Sequence, residues 1–326
     1  WINLSSAWSA DRSGIFPMQL PPFRSWLGQA FGHPADPDQA DVPVSALTEL
    51  ASGVLATDPA ASARPAHWTP SRLLVAERLW GKGYVTAGGG REAKHLATPI
   101  GLSSAATVLL LGAGAGGIAE LLVRDFGAWV VGYEADPQLL AAAIEHVRLA
   151  GAAVAKRATI DPLDPLAPSF RANFCHHAVV LDAIRAAPME PLLGAVSLAL
   201  KPHGQIVMAE FVATTALDPA DPAIAAWCRL EGRSAGLHSE PGITRALARL
   251  GFDVRVVEDI SARHMQLALR GWKGMVHAMG GVRPSPAEAA ALVHEAELWT
   301  RRIRLMHDGV IRLVRWHALG AVHAKA

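Results

Sequence analysis

The sequence predicts an α/β fold: a Rossmann-like, doubly wound sheet of seven strands whose last strand is antiparallel. Three observations predict it. The apolar run TVLLL (107–111) passes directly into GAGAGG (112–117), the junction of a buried strand with a helix start. From residue 71 onward, strand-like apolar runs alternate with helix-like stretches, which is the pattern of a parallel sheet covered on both faces. Near the end, an Asp-Gly pair (308–309) precedes an alternating stretch at 310–317. A strand placed there is expected to pair antiparallel beside the sixth.

The elements follow in order. Residues 1–70 are interrupted by proline too often for long helices or central strands. Short helices fit at 23–31 and 44–56, and the segment reads as an arm or cap. A helix at 71–79 leads to the glycine-rich WGKGYVTAGGG (80–90), and a helix at 91–97 follows. The first strand is 107–111, covered by a helix at 117–126. The second strand is WVVGYE (129–134), followed by a helix at 137–150. A weaker third strand is AVAKRATI (153–160), and HHAVVLDAI (176–184) is the fourth. A helix at 189–200, a fifth strand at 204–211, a helix at 242–250 and a sixth strand at 252–260 complete the alternation. Residues 262–306 read as helices broken at GGVRPSP (280–286). The expected organisation is an arm (1–70), a nucleotide-binding core (71–260), a helical cap insertion (261–308), then the last strand and tail (309–326).

Composition narrows the function. Of 326 residues, 51% are apolar and 18% charged, and the formal net charge is +1. Nothing in that balance argues for nucleic acid. Cys175 and Cys228 are the only cysteines, too few for a disulfide framework or a zinc site built mainly of thiolates. No apolar run reaches the roughly 18 residues that span a bilayer. The expectation is a cytoplasmic protein, and a chain opening on Trp1 is expected to have lost its true N-terminus.

The segment GAGAGG satisfies G-x-G-x-x-G through Gly112, Gly114 and Gly117. No side chain there can act as acid, base or nucleophile, so its chemistry is backbone access. Glycines allow the turn and let a ligand lie against the main chain at a helix N-terminus. Glu134 ends the next strand about twenty residues on, where an acid accepts hydrogen bonds from ribose hydroxyls. By itself this pair does not distinguish NAD from other adenosine-bearing cofactors.

Together, VLLLGAGAGG (108–117), VVGYEADP (130–137) and LKPHG (200–204) resemble the class I S-adenosylmethionine-dependent methyltransferases. In that family the segments read V-L-D-x-G-C-G-x-G, V-x-G-x-D/E and L-K-P-G-G. The resemblance covers about residues 72–320. Flanking stretches resemble the small-molecule and lipid subgroup of cyclopropane-synthase, sterol and phosphoethanolamine methyltransferases: WGKGYVTAGGG, and EDISARHMQLALRGWKGM (258–275). The second keeps His264, Leu269 and Trp272 of an H-Y-x-x-T-L-x-x-W pattern and has Met265 in place of its aromatic. The resemblance implies S-adenosylmethionine as cofactor. Gly112, Gly114 and Gly116 would line its methionine and ribose side, and Tyr84 and Thr86 its methionine end. Glu134 would take the ribose, with Ala135 beside the adenine and Asp161 on the adenine amino group, a role shared with Asp164. Leu181 and Asp182 would face the reacting centre. The chain departs from the pattern at Leu110, where an acid is usual.

Methyl transfer asks little of side chains, because the protein must align reactants and exclude water. A base is needed only for a hydroxyl or an acidic carbon. His264 is the first candidate for a base or a substrate contact, and Tyr84 the second catalytic candidate. Glu210 is read at the pocket rim or in a structural ion pair. His176 and His177 read as structural, and no metal site is expected. The stripe Leu292, Glu295, Ala296 and Trp299 reads as packing, with a membrane or protein partner surface at 1–70 and 285–306 as the alternative. Arg301, Arg302, Arg304, Arg312 and Arg315 read as a solvated face. The acceptor is expected to be small or lipid-like. The alternatives are a catalytically inactive, methyltransferase-like assembly subunit and, third, an NAD-dependent oxidoreductase.

Overall fold

Local signals in the chain set most element boundaries. The computed structural model describes residues 67–279 and 284–320, all within one unit, Ala61–Ala326. The helices expected at 23–31 and 44–56, and nearly all of the 1–70 arm, lie outside the described residues. Helices α1 (Pro70–Trp80) and α2 (Gly89–Ala97) precede the sheet. The alternation then runs β1 (Thr107–Leu111), α3 (Gly117–Phe126), β2 (Trp129–Glu134), α4 (Pro137–Leu149), α5 (Ala152–Ala155), β3 (Ala158–Pro162) and β4 (Cys175–Leu181). It continues with α6 (Met189–Ala199), β5 (Leu200–Ala213), α7 (Pro222–Glu231), α8 (Glu240–Arg249), β6 (Phe252–Asp259), α9 (Ser261–Ala278), α10 (Pro286–His307) and β7 (Ile311–Gly320).

The sheet order is β3-β2-β1-β4-β5-β7-β6. All pairings are parallel except those of β7, which is antiparallel to both neighbours. β7 lies between β5 and β6, so it pairs with the fifth strand as well as the sixth. Strand order reverses between β1 and β4, which opens a crevice at their carboxyl ends. β1 shows why a continuous apolar run is needed at the sheet centre. Val108 and Leu110 enter the core layer on one face, Leu109 and Leu111 the layer on the other. Each such side chain contributes about 2 kcal/mol by leaving water.

Caps fix the helix starts. Asp136 accepts from the Gln138 and Leu139 amides ahead of α4, and Asp221 does the same ahead of α7. Ser285 and Glu288 form a reciprocal capping box at α10. Each of these helices has proline in its first positions, where the missing N–H costs nothing.

Three expectations are corrected. Residues 153–160 are not one strand. The AAVA stretch closes a single helical turn, α5, and β3 starts only where Ala158 comes opposite Val130. β5 is longer than 204–211, because β4 supports it on one side and β7 on the other. α7 lies in a stretch where the sequence reading placed nothing, although Asp221-Pro222 is a helix-start signal.

α9 and α10 sit between the adjacent strands β6 and β7, as a helical insertion. α10 packs on α1 and α7. Its stripe Leu292, Glu295, Ala296 and Trp299 is buried in this chain, so the packing reading of that stripe is the observed one. Among the described residues no helix is long and apolar enough to cross a membrane.

Candidate functional site

A cavity of about 500 Å³ opens at the β1/β4 crevice. One wall is the glycine loop and the ends of β2 and β4. The opposite wall comes from α1, α7, α9 and α10.

The loop is shaped by close approach. Gly112 has φ +73°, and a Cβ there would overlap the carbonyl oxygen of Leu181. Gly114 has φ +58° and lines the cavity, where a Cβ would meet the Val85 side chain at 3.2 Å. Gly116 does not line the cavity; it brings α3 against Ala143 and His146 of α4. Gly117 donates its amide to the Gly83 carbonyl at 2.9 Å, which ties the 80–90 segment to the start of α3.

Glu134 clamps the loop to β2. Its Oε2 accepts from the Gly114 amide at 2.7 Å, and Oε1 accepts from the Ala135 and Asp136 amides at 2.9 and 3.0 Å. Burial pushes its pKa up, and these amides pull it down. The carboxylate faces the cavity with lone pairs still free for a diol.

Other sequence-predicted residues fall in different places. Ala135, Leu181 and Asp182 line the cavity, as do Tyr84 and Thr86. Asp182 has φ +45° and accepts from Arg233 Nη2 at 3.1 Å. The Tyr84 hydroxyl donates to the Gly117 carbonyl at 3.0 Å, and burial pushes its pKa up to about 12. Tyr84 therefore offers the cavity its ring, not a free proton. Asp161 is exposed on β3 and is not brought to the cavity; Leu163 and Pro165 reach it instead. Asp164 is spent on the Leu166 and Ala167 amides of its own loop.

His264 lines the cavity and is 6% exposed. Its ring lies 5.4 Å from Trp299 and edge-on to Phe211 at 5.8 Å. Nε2 is buried with no hydrogen-bond partner among the described residues. Burial first, then the Arg302 charge, push its pKa down to about 3. A neutral imidazole is the stable form there, which suits hydrogen bonding better than proton abstraction.

Glu210 lies behind the cavity at 1% exposure. Its Oε1 accepts from the Ala183 and Ile184 amides at 2.8 and 3.2 Å and so holds the turn after β4. Burial, then the Asp182 charge, push its pKa up to about 8. His176 is structural: Nδ1 accepts from the Thr107 amide at 2.9 Å, and Nε2 lies 3.0 Å from Lys201 Nζ. Among the described residues no group of three His, Cys, Asp or Glu is placed to hold a metal ion.

The far wall holds residues the sequence reading missed. Arg302 is not part of a solvated face. It is buried, and Nη2 donates to Glu231 at 2.5 Å while Nε donates at 3.1 Å. Trp227 Nε1 donates to the same carboxylate at 3.1 Å. Arg72 Nε donates to buried Glu295 at 2.5 Å, and its guanidinium lies 4.2 Å from the Trp68 ring centre. The available signal was spacing: Glu295, Trp299 and Arg302 share one face of α10, and charge on an apolar stripe marks a buried pair.

No protein-family model matches the chain. Over 144 residues it is 31% identical to the ribosomal protein L11 methyltransferase of Vibrio vulnificus, covering 41% of this chain and 46% of that protein. The chain thus spans about half the length of the curated relatives it matches. Among solved structures, Haemonchus contortus phosphoethanolamine N-methyltransferase 2, in complex with phosphomonomethylethanolamine and S-adenosylhomocysteine, superposes with TM-score 0.66 at 18% identity. That match covers 76% of this chain and 57% of that one. The [4+2]-cyclase SpnF superposes with TM-score 0.59 at 16% identity, covering 79% of this chain and 93% of that one. At these identities the likeness is one of fold: the seven-stranded, Rossmann-like methyltransferase fold with its antiparallel strand.

Proposed function

We propose that the chain is an S-adenosylmethionine-dependent methyltransferase acting on a small-molecule acceptor. One observation carries the reading. Glu134 holds the Gly114 amide at 2.7 Å on the rim of a 500 Å³ cavity, and the glycine leaves the main chain bare there. The methyltransferase names among the relatives, and the cofactor in the phosphoethanolamine enzyme's structure, support it. The cavity falls in the roughly 300–1,000 Å³ range of small-ligand sites, and a Cβ at Gly114 would intrude on it.

When bound, S-adenosylmethionine supplies a methyl group already activated on a sulfonium. The chain's residues do the rest. Glu134 accepts hydrogen bonds from a ribose diol, and the Gly112–Gly114 backbone allows close approach. Ala135, Leu163 and Pro165 supply an apolar surface for a base. Trp68, Phe211, Leu298 and Trp299 exclude water from the reacting centre. Neutral His264 offers its ring nitrogens to orient the acceptor's nucleophilic N–H or O–H. That is the substrate-contact reading of His264, taken in preference to the base reading. The cyclase with the same fold is a reminder that fold does not fix reaction.

Calorimetry with S-adenosylhomocysteine and NAD tests the reading. S-adenosylhomocysteine is expected to bind, and Gly114→Val to abolish that binding. Binding of NAD alone would overturn the reading. A second reading, an inactive relative kept for assembly, rests on Leu110, which is fully buried in apolar core where the resembling family has an acid. Binding of neither ligand would favour it.

A further inference from the structure

We infer that the acceptor is an apolar or aromatic carboxylic acid whose carboxylate is bound by Arg185. This deepens the methyltransferase reading and rests on it for the identity of the second ligand.

Four arginines and three carboxylates cluster around the cavity. Three ion pairs are closed there: Arg72–Glu295 at 2.5 Å, Arg302–Glu231 at 2.5 Å and Arg233–Asp182 at 3.1 Å. Each uses one guanidinium and one carboxylate. Arg185, on the turn after β4, has no contact as short. It lies 3.6 Å from Asp182 and 3.7 Å from Glu231, carboxylates that already serve other arginines. Its remaining contact is a 3.4 Å hydrogen bond to the Glu231 carbonyl. Glu134 and Asp136 are also in electrostatic range, but among the described residues no ion pair joins either of them to Arg185.

Arg185 is also oriented usefully. It lines the cavity together with Arg72, Trp68, Trp299 and Arg302. Its side chain is 24% exposed, against 6% for Arg72 and 9% for Arg302. An accessible planar fork with only long contacts is what a carboxylate engages in two parallel hydrogen bonds. Trp68 also lines the cavity, and its Nε1 is a buried donor without a partner among the described residues. His67 is pushed down to about 3 by burial, then by Arg72 and Arg185, and His294 is pushed down by burial, then by Arg72.

The acids around Arg185 select the class of anion. Asp182, Glu231, Glu134 and Asp136 all act on it, so a singly charged group meets less repulsion there than a phosphate dianion does. The rest of the far wall is Trp68, Trp299, Phe211 and Leu298, so the body of the ligand is apolar.

The experiment titrates the full chain, with and without saturating S-adenosylhomocysteine, by isothermal titration calorimetry. The probes are benzoate, 3-phenylpropionate and indole-3-acetate, their neutral amides, and phenyl phosphate. At least one acid is expected to bind about tenfold more tightly than its amide, as a charge-assisted contact requires. In Arg185→Gln that preference should vanish while S-adenosylhomocysteine affinity holds within about twofold. Arg185→Lys should keep part of it, and circular dichroism checks that both variants fold. The proposal is overturned if no acid binds, if acid and amide bind alike, or if phenyl phosphate binds more tightly than every acid. It is also overturned if Arg185→Gln loses S-adenosylhomocysteine, which would give Arg185 to the cofactor's own carboxylate. If the wild type does not bind S-adenosylhomocysteine, the cofactor reading fails separately, and the acid–amide comparison without it still decides Arg185.

Discussion

Replacing Glu231 by Gln removes a charge and keeps the shape. In the native chain Glu231 is 4% exposed and sits at the end of α7, where it accepts from Arg302 of α10 and from Trp227. Burial raises its pKa, but the Arg302, Arg233 and Arg185 charges outweigh it and hold the carboxyl well below the usual carboxylate range. In the variant the amide still accepts one hydrogen bond, yet Arg302, itself 7% exposed, keeps a buried charge with no counter-ion. Leaving one member of a buried pair unpaired costs about 3–5 kcal/mol, a large share of the roughly 5–15 kcal/mol that stabilises a folded chain. At roughly 2–4 °C per kcal/mol for a unit of this size, Tm should fall by about 6–20 °C. Urea unfolding followed by far-ultraviolet dichroism measures it, with a lower midpoint at unchanged slope. A loss under about 1 kcal/mol would refute the reasoning, because it would mean that water reaches Arg302 as freely as at a surface pair.

Gly112→Ala should destabilise by more than the roughly 1–2 kcal/mol of a left-handed residue, because its Cβ meets the Leu181 carbonyl; thermal melts check it. His264→Phe keeps an aromatic ring and removes a titration. Because the His264 pKa is depressed to about 3, the unfolded chain takes up a proton first as pH falls below 6.5. Wild-type stability therefore declines between pH 6.5 and 3, by about 1.4 kcal/mol per pH unit from this residue, and the variant should lose that component. Glu210→Gln has the opposite sign. A carboxyl held protonated to about 8 contributes stability below its unfolded pKa and loses it as pH rises through 8. Melts from pH 6.5 to 8.5 should fall in the wild type and stay flat in the variant. Parallel profiles for either variant would reject its titration.

What was legible in the sequence follows from range. β1, the glycine loop and Glu134 lie within one strand–helix–strand unit, so periodicity and spacing located them to the residue. The caps at Asp136 and Ser285 are local as well, but they were not read from the sequence. β3 was misplaced because an Ala-Val run suits either state, and the choice was made by its register against Val130. β7 was found from the Asp-Gly turn and its alternation. Its place between β5 and β6 was not, because a strand's pattern records which faces are buried and not which neighbours do the burying.

The site divides along the same line. Its cofactor-facing half comes from short-range sequence, where glycines must be glycines and an acid must end a strand. Its far half depends on contacts between distant elements: Arg72 with Glu295, Glu231 with Arg302, Asp182 with Arg233. In sequence Asp182 and Glu295 are marked by the family resemblance and the apolar stripe, but Arg72, Glu231 and Arg233 carry no signal, and the run of arginines around Arg302 reads as a solvated face. Burial distinguishes it. Arg302 keeps the same hand on α10 as Trp299 and Glu295, whereas its neighbour Arg301 pairs with Glu297 near the surface. One position separates a buried functional charge from an exposed one, because successive helical residues turn by about 100°. The Arg302–Glu231 pair thus follows from the helical phase of α10, which no motif encodes.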